Sequence, residues 1–251
     1  MGAPPFARWF LQGLVILALL LVLVSLTLFA ANFLYRRKAE NLLRDIQTLR
    51  LDESTTKDVE RIMSRHGGGP SPSSYASFCD PMSGAYDVWI GSRTIYWLEM
   101  TLPALRRLGP RPWASSATVV LREGRVCYLH YGIGMEDSNG QWQWAVETSL
   151  LPKEQILGLD QDHPSFKAST RDFKGARRLT GELSREATKE ERRIAFTYDF
   201  SCVTRFRGCQ GRCEIAPLLW KAVYQKSLNS GWAMPPEETN DPHCKVAEQA
   251  H

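Results

Sequence analysis

The chain has 251 residues, 31 of them basic and 27 acidic, for a formal net charge of +4. Four of the basic residues, Arg8, Arg36, Arg37 and Lys38, precede the first acid, Glu40; the remainder balances at 27 against 27. The excess belongs to one N-terminal flank, so the folded part lacks the net basic footprint that nucleic acid selects, and no nucleic-acid partner is expected. Eight tryptophans beside 23% charged residues exclude a disordered chain, and the roughly 210 residues after the flank are enough for one domain with a core.

Trp9 to Tyr35 carries no charge. A helix crosses the hydrocarbon layer with about 20 apolar residues, and Leu11 to Leu34 exceeds that. After a short tail, residues 1–10, the spacing predicts a transmembrane helix over 11–34, with Trp9, Phe10, Phe33 and Tyr35 at its edges where aromatic rings favour headgroups. The bilayer is its partner. A cleavable signal has an apolar core of about 7 to 15 residues and small residues before the cut. Here the run is longer, and a cut after Ala30 or Ala31 would place Leu28 or Phe29 three positions back. Phe6 stands where a myristoylation motif needs Ser or Thr after Gly2. Arg36, Arg37 and Lys38 favour a cytosolic domain by a charge or two. The cysteines favour an oxidising side, and the balance falls to an extracytoplasmic domain.

Residues 35–66 read as juxtamembrane helices. Leu42, Leu43, Ile46 and Leu49 recur at helical spacing, either extending the membrane helix or forming a separate turn. Ser54, Thr55 and Thr56, followed by Asp58 and Glu60, mark a second helix start. Val59, Ile62 and Met63 form its stripe, and Gly67 stops it. The glycines at 67–69 lack the Gly-Lys-Ser/Thr of a phosphate loop.

An α+β domain is expected over 67–234. Tyr86 to Gly91 is a strand. Arg93 to Arg107 has no single reading, with Pro103 breaking a long helix. Ser116–Leu121 and Arg125–Tyr131 form a hairpin around Arg122, Glu123 and Gly124. Its alternation puts Val126, Tyr128 and His130 on one face and Cys127, Leu129 and Tyr131 on the other. Gln141–Leu150 is a strand, and Arg177–Leu183 a further candidate. Thr188 caps a helix carrying Glu190 and Glu191 in its first turn, running to near Cys202. Ile215 to Val223 marks a last helix, with Pro217 in its first turn. The fold class is α+β, a mostly antiparallel sheet of about four to six strands with flanking helices. Residues 235–251 form a polar, mobile tail.

Cys202, Cys209, Cys213, His243 and Cys244 invite a zinc reading, but only Cys209 and Cys213 have paired-ligand spacing. No metal and no cofactor is expected. A disulfide between Cys202 and Cys209 is expected if the domain faces an oxidising compartment; otherwise these are buried thiols. Cys127 reads as a buried thiol. No histidine lies in a diagnostic catalytic context, and no catalytic residue is assigned. His66 sits at a helix end and His130 in the hairpin. Asp160, Asp162 and His163 read as a solvated turn. Arg177-Arg178 and Arg192-Arg193, with acids in reach, read as solvated faces. Trp142 and Trp144 read as core rather than as a groove or lipid contact.

Leu51, Ser54, Thr55, Val59 and Gly67, within Leu49–Gly67, resemble the entry motif of small helix-helix-sheet domains of the bacterial outer-membrane assembly lipoprotein type; Asp52 stands where that motif has Gly, and the lipidated cysteine is missing. Glu190, Arg192-Arg193, Ala195-Phe196 and Ser201-Cys202-Val203-Thr204-Arg205 with Gly208-Cys209 resemble a group of uncharacterised single-pass proteins. That resemblance implies an architecture of anchor, short helices and sheet, and no activity. The expected function is a non-enzymatic interaction or ligand-binding module at a membrane. A membrane-bound hydrolase-like enzyme is the alternative, and a cysteine-based metal or redox module the second.

Overall fold

The structure is a computed structural model that describes residues 5–71, 79–91, 101, 112–136, 142–159, 164–173, 176–205, 208–209 and 211–230. Its elements run α1 (Pro5–Ile46), α2 (Thr56–His66), β1 (Gly69–Pro70), β2 (Gly84–Gly91), β3 (Trp113–Arg122), β4 (Arg125–Glu136), β5 (Trp142–Leu150), β6 (Phe166–Phe173), β7 (Ala176–Leu183), α3 (Lys189–Phe196), α4 (Arg212–Ile215) and α5 (Pro217–Ser230). Short 3-10 turns cover Lys153–Gln155 and Phe200–Thr204. This is an α+β architecture with one long apolar N-terminal helix. The expected tail and the Arg93–Arg107 stretch lie outside the described residues, apart from Thr101.

The apolar run and the amphipathic stretch after it are one helix, α1, of 42 residues. No breaker separates them, so helix propagation continues through the basic flank. Arg36 and Glu40 bridge one turn on this flank at 2.7 Å. From Ala39 onward the helix buries Ala39, Leu42, Leu43 and Ile46 in the main core. Helix α2 starts where Asp58 accepts the Thr55 backbone N–H at 3.0 Å. It ends at Gly67, whose φ of 77° takes the left-handed cap conformation.

Seven strands form one sheet in the order β1-β2-β3-β4-β5-β7-β6. Every pairing is antiparallel except β5 with β7. The sequence reading expected four to six. The two-residue β1 and β6 exceed it, because Phe166–Phe173 alternates weakly and a polar connection precedes it. The β3–β4 hairpin turns through Glu123 (φ 53°) and Gly124 (φ 74°), the positive-φ pair of a type I′ turn.

The helices cover one sheet face. Alternate residues of β3 and β4 (Ala117, Val119, Leu129, Tyr131, Ile133) join Val146 on β5, Leu179 and Leu183 on β7, and the helix stripes in a single cluster. The hydroxyls inside this core bond one another. Ser115 donates to Tyr131 at 2.8 Å, and Thr148 donates to the Ala195 carbonyl at 2.6 Å while meeting the Tyr198 hydroxyl at 2.8 Å. Burial raises the pKa of both tyrosines, so they remain neutral donors.

Three expectations need correction here. The alternation expected for β4 breaks at its start. Val120 pairs with Tyr128 but Leu121 with Val126, which leaves Cys127 as an extra residue. The bulge sends Val126 to the helix face with Leu129 and Tyr131 and turns Cys127 to the opposite face. Cys127 there is not a free thiol: it bonds Cys79, with Cα atoms 6.0 Å apart. The helix after Thr188 is also shorter than expected. It stops at Phe196, and the chain reaches Cys202 through a separate 3-10 turn.

Candidate functional site

The sheet face turned away from the helices carries a second, smaller cluster: Cys79, Ala85, Val120, Cys127, Tyr128, Leu151 and Ile156. Beside it the face becomes polar. Strand register sets His130 beside Thr118 on β3 and Ser149 on β5, Ser149 beside Glu182 on β7, and Glu182 beside Lys167 on β6. The next row sets Gly132, Glu147, Thr180 and Ser169 in line. Side chains two apart on a strand share a face, so one flank of the sheet is a lawn of polar groups.

A cavity of about 310 Å³ opens on this lawn, lined by Tyr128, His130, Glu147, Ser149, Leu151, Gln155, Leu157, Arg171, Arg178 and Glu182. Gly132 makes room for the imidazole: a Cβ there would sit 3.2 Å from His130 Nε2. His130 Nδ1 lies 3.1 Å from Ser149 Oγ, and its ring lies parallel to that of Tyr128 at 6.5 Å. Arg178 pairs with Glu147 at 2.9 Å and Arg171 with Glu182 at 3.3 Å. Burial lowers the His130 pKa; Glu147 and Asp87 oppose this, and Arg178 adds to it. The imidazole is therefore neutral at pH 7. The two acids and two guanidinium groups balance, so the cavity has no net charge.

Among the described residues weighed from sequence, the structure brings Tyr128, His130 and Arg178 into this cavity. Arg178 is not a solvated bystander, since it lines the cavity and holds Glu147. Glu147, Ser149 and Arg171 escaped the sequence reading, and Glu182 entered it only as an acid within reach of Arg177-Arg178. Their signal was present as period-two polarity along β5, β6 and β7, and it becomes a site only once β7 inserts between β5 and β6.

The other weighed residues lie elsewhere. His66 Nε2 contacts Asp45 Oδ2 at 2.9 Å at the C-terminal end of α2. Arg192 donates to the Leu49 carbonyl at 3.2 Å, and Arg193 pairs with Glu190. Cys202 and Cys209 are disulfide-bonded, with Cα atoms 4.7 Å apart. Glu214 lies beside them, but oxidised sulfurs offer no thiolate to a metal. Cys213 is disulfide-bonded too, and among the described residues no cysteine is free. Asp160, Asp162, His163, His243 and Cys244 lie outside the described residues, as do the side chains of Trp142 and Trp144. Comparison with protein-family models, curated proteins and solved structures found no match.

Proposed function

We propose that this chain is a membrane-tethered binding module that faces an oxidising, extracytoplasmic compartment and takes a small, uncharged, hydroxyl-rich ligand on the outer face of its sheet. The observation that carries the reading is the 310 Å³ cavity and its charge-neutral lining. Pockets of this size hold small molecules when a few polar groups converge against an apolar wall. Tyr128, Leu151 and Leu157 supply the wall. A charged ligand would have to break the Arg178–Glu147 or Arg171–Glu182 pair and leave a half-buried ion uncompensated. A hydroxyl donates to a carboxylate and accepts from a guanidinium without separating them. The disulfides support the oxidising side.

Thermal unfolding of the full chain in detergent, against neutral saccharides, amino acids and inorganic phosphate, tests this. Saturable stabilisation by a saccharide, lost in Glu147→Gln, is the expected result. Stabilisation by phosphate alone, or by none of the probes, overturns it.

One contact favours a second reading, a hydrolase. Ser149 Oγ touches His130 Nδ1, and a neutral imidazole is the form a general base requires. Ester hydrolysis by the full chain that Ser149→Ala abolishes would replace the binding reading.

A further inference from the structure

Helix α1 has two kinds of surface. From Trp9 to Thr27 its residues are exposed on all sides, Ser25 alone being half-buried. That stretch is about 28 Å long at 1.5 Å per residue, close to the roughly 30 Å of a hydrocarbon core. Beyond it the helix is divided along its length. One face enters the domain at Leu28, 8% exposed, and Asn32, 3% exposed. The opposite face stays apolar and open through Phe33 and Leu34, which are 44% and 61% exposed. From Leu28 to Leu34 domain contact and exposed apolar surface thus overlap for seven residues, about 10 Å of helix.

Asn32 fixes this junction. Its Nδ2 donates to the Val203 carbonyl at 2.8 Å, and its Oδ1 accepts from Trp113 Nε1 at 2.5 Å. A polar side chain near the end of a membrane helix is costly unless bonded, and both of its groups are bonded here. One turn on, Arg36 donates to Thr204 Oγ1 at 3.3 Å. The shoulder facing the helix is the 3-10 turn Phe200–Thr204, tied back by the Cys202–Cys209 disulfide. Arg205 follows it, its side chain 56% exposed.

Resting on the reading of α1 as a membrane anchor, we infer that the domain is seated in the headgroup layer of its own bilayer and not held clear of it. A bilayer deep enough to cover Phe33 and Leu34 on one side of α1 necessarily brings headgroups against the shoulder on the other. The contacting surface is the turn Ser201–Arg205 beside Trp113, and its occupant is phospholipid. Because α1 continues unbroken into the core, the seat also fixes which way the cavity on the far sheet face points relative to the membrane plane.

Nitroxide labels on the full chain in lipid nanodiscs test the seat, at Leu20→Cys, Ser201→Cys, Arg205→Cys and Glu190→Cys, each a separate variant. Among the described residues every native cysteine is bonded and buried, and the unsubstituted chain, taken through the same labelling, gives the background from which the added thiol is read. Collision with oxygen and with a water-soluble nickel chelate reports depth. The expected order is Leu20 in hydrocarbon, Ser201 and Arg205 at headgroup depth, and Glu190 in water. Labels at 201 and 205 as open to the chelate as Glu190, with Leu20 still deep, overturn the seat and leave the anchor standing. A Leu20 label open to the chelate overturns the anchor reading and the seat with it.

Discussion

His130 concentrates the electrostatics of the cavity. Its pKa is depressed by burial, with Arg178 acting in the same direction and Glu147 and Asp87 against it. The unfolded chain takes up a proton near pH 6.5, whereas the native state resists it to a lower pH. Between those two values the unfolded state binds more protons, so stability rises with pH there. This contribution is complete above about pH 6.5, is lost as the pH falls, and stops changing below the depressed native value. Denaturant unfolding from pH 7.5 to 5 is expected to show that fall, and His130→Gln to flatten it. An equal slope in both proteins would assign the effect to other groups. Asp45 acts at a lower pH. Burial raises its pKa, but the hydrogen bonds from His66 and Arg65 win and hold it below the ordinary carboxylate value. Its contribution is present above that ordinary value and is lost as the pH falls through the depressed one.

At the scale of elements, caps and bridges set the differences in stability. Glu191 is 7% exposed and accepts from the Thr188 N–H at 2.7 Å and from Ser165 Oγ at 2.9 Å, while Thr188 Oγ1 accepts from the Glu191 N–H at 3.1 Å. This reciprocal cap ties α3 to the segment before β6. Thr188→Ala is expected to cost about 1 kcal/mol. Glu191→Ala should cost more, because the Ser165 hydroxyl loses its acceptor too. Chemical denaturation of the two variants gives the order directly. The disulfides rank by span. Cys79–Cys127 joins residues 48 apart and Cys202–Cys209 residues 7 apart. Loop-closure entropy then assigns them about 4 and about 2 kcal/mol. The double variant Cys79→Ala/Cys127→Ala is expected to melt below Cys202→Ala/Cys209→Ala; the reverse order would show that the short bridge carries tertiary strain relief beyond chain entropy.

For the whole molecule, the proposed anchoring role of α1 and the bridges make joint demands on topology. The purified chain is expected to keep its full-length mass and to gain about 6 Da on reduction, two hydrogens for each of the bridges Cys79–Cys127, Cys202–Cys209 and the one that holds Cys213. Peptide mapping is expected to find Cys213 in a bridge separate from Cys79–Cys127 and Cys202–Cys209. Thiol trapping in intact cells should leave Cys202 and Cys209 unalkylated before reduction. Full alkylation of both would place the domain in the cytosol, as the basic flank Arg36–Lys38 favours.

The amino-acid sequence alone determined the local features whose causes are local. The uncharged run Trp9–Tyr35 dictates a long apolar helix, Thr188 with Glu191 a cap, Gly67 a helix stop, and Glu123-Gly124 a hairpin, because each needs only neighbours within a few residues. What required the tertiary structure was non-local. The bulge at Cys127 depends on how β3 and β4 register, and it alone decides which face the residue joins and so that it meets Cys79. The cavity depends on β7 pairing in parallel with β5. Without that crossover Arg178 and Glu147 belong to unrelated segments. Asn32 reads in sequence as one polar residue in an apolar run, and only the packed shoulder supplies the carbonyl and indole that satisfy it. Period and composition encode which face a residue prefers; the partner on that face comes from chain segments that entropy keeps apart until the whole core closes.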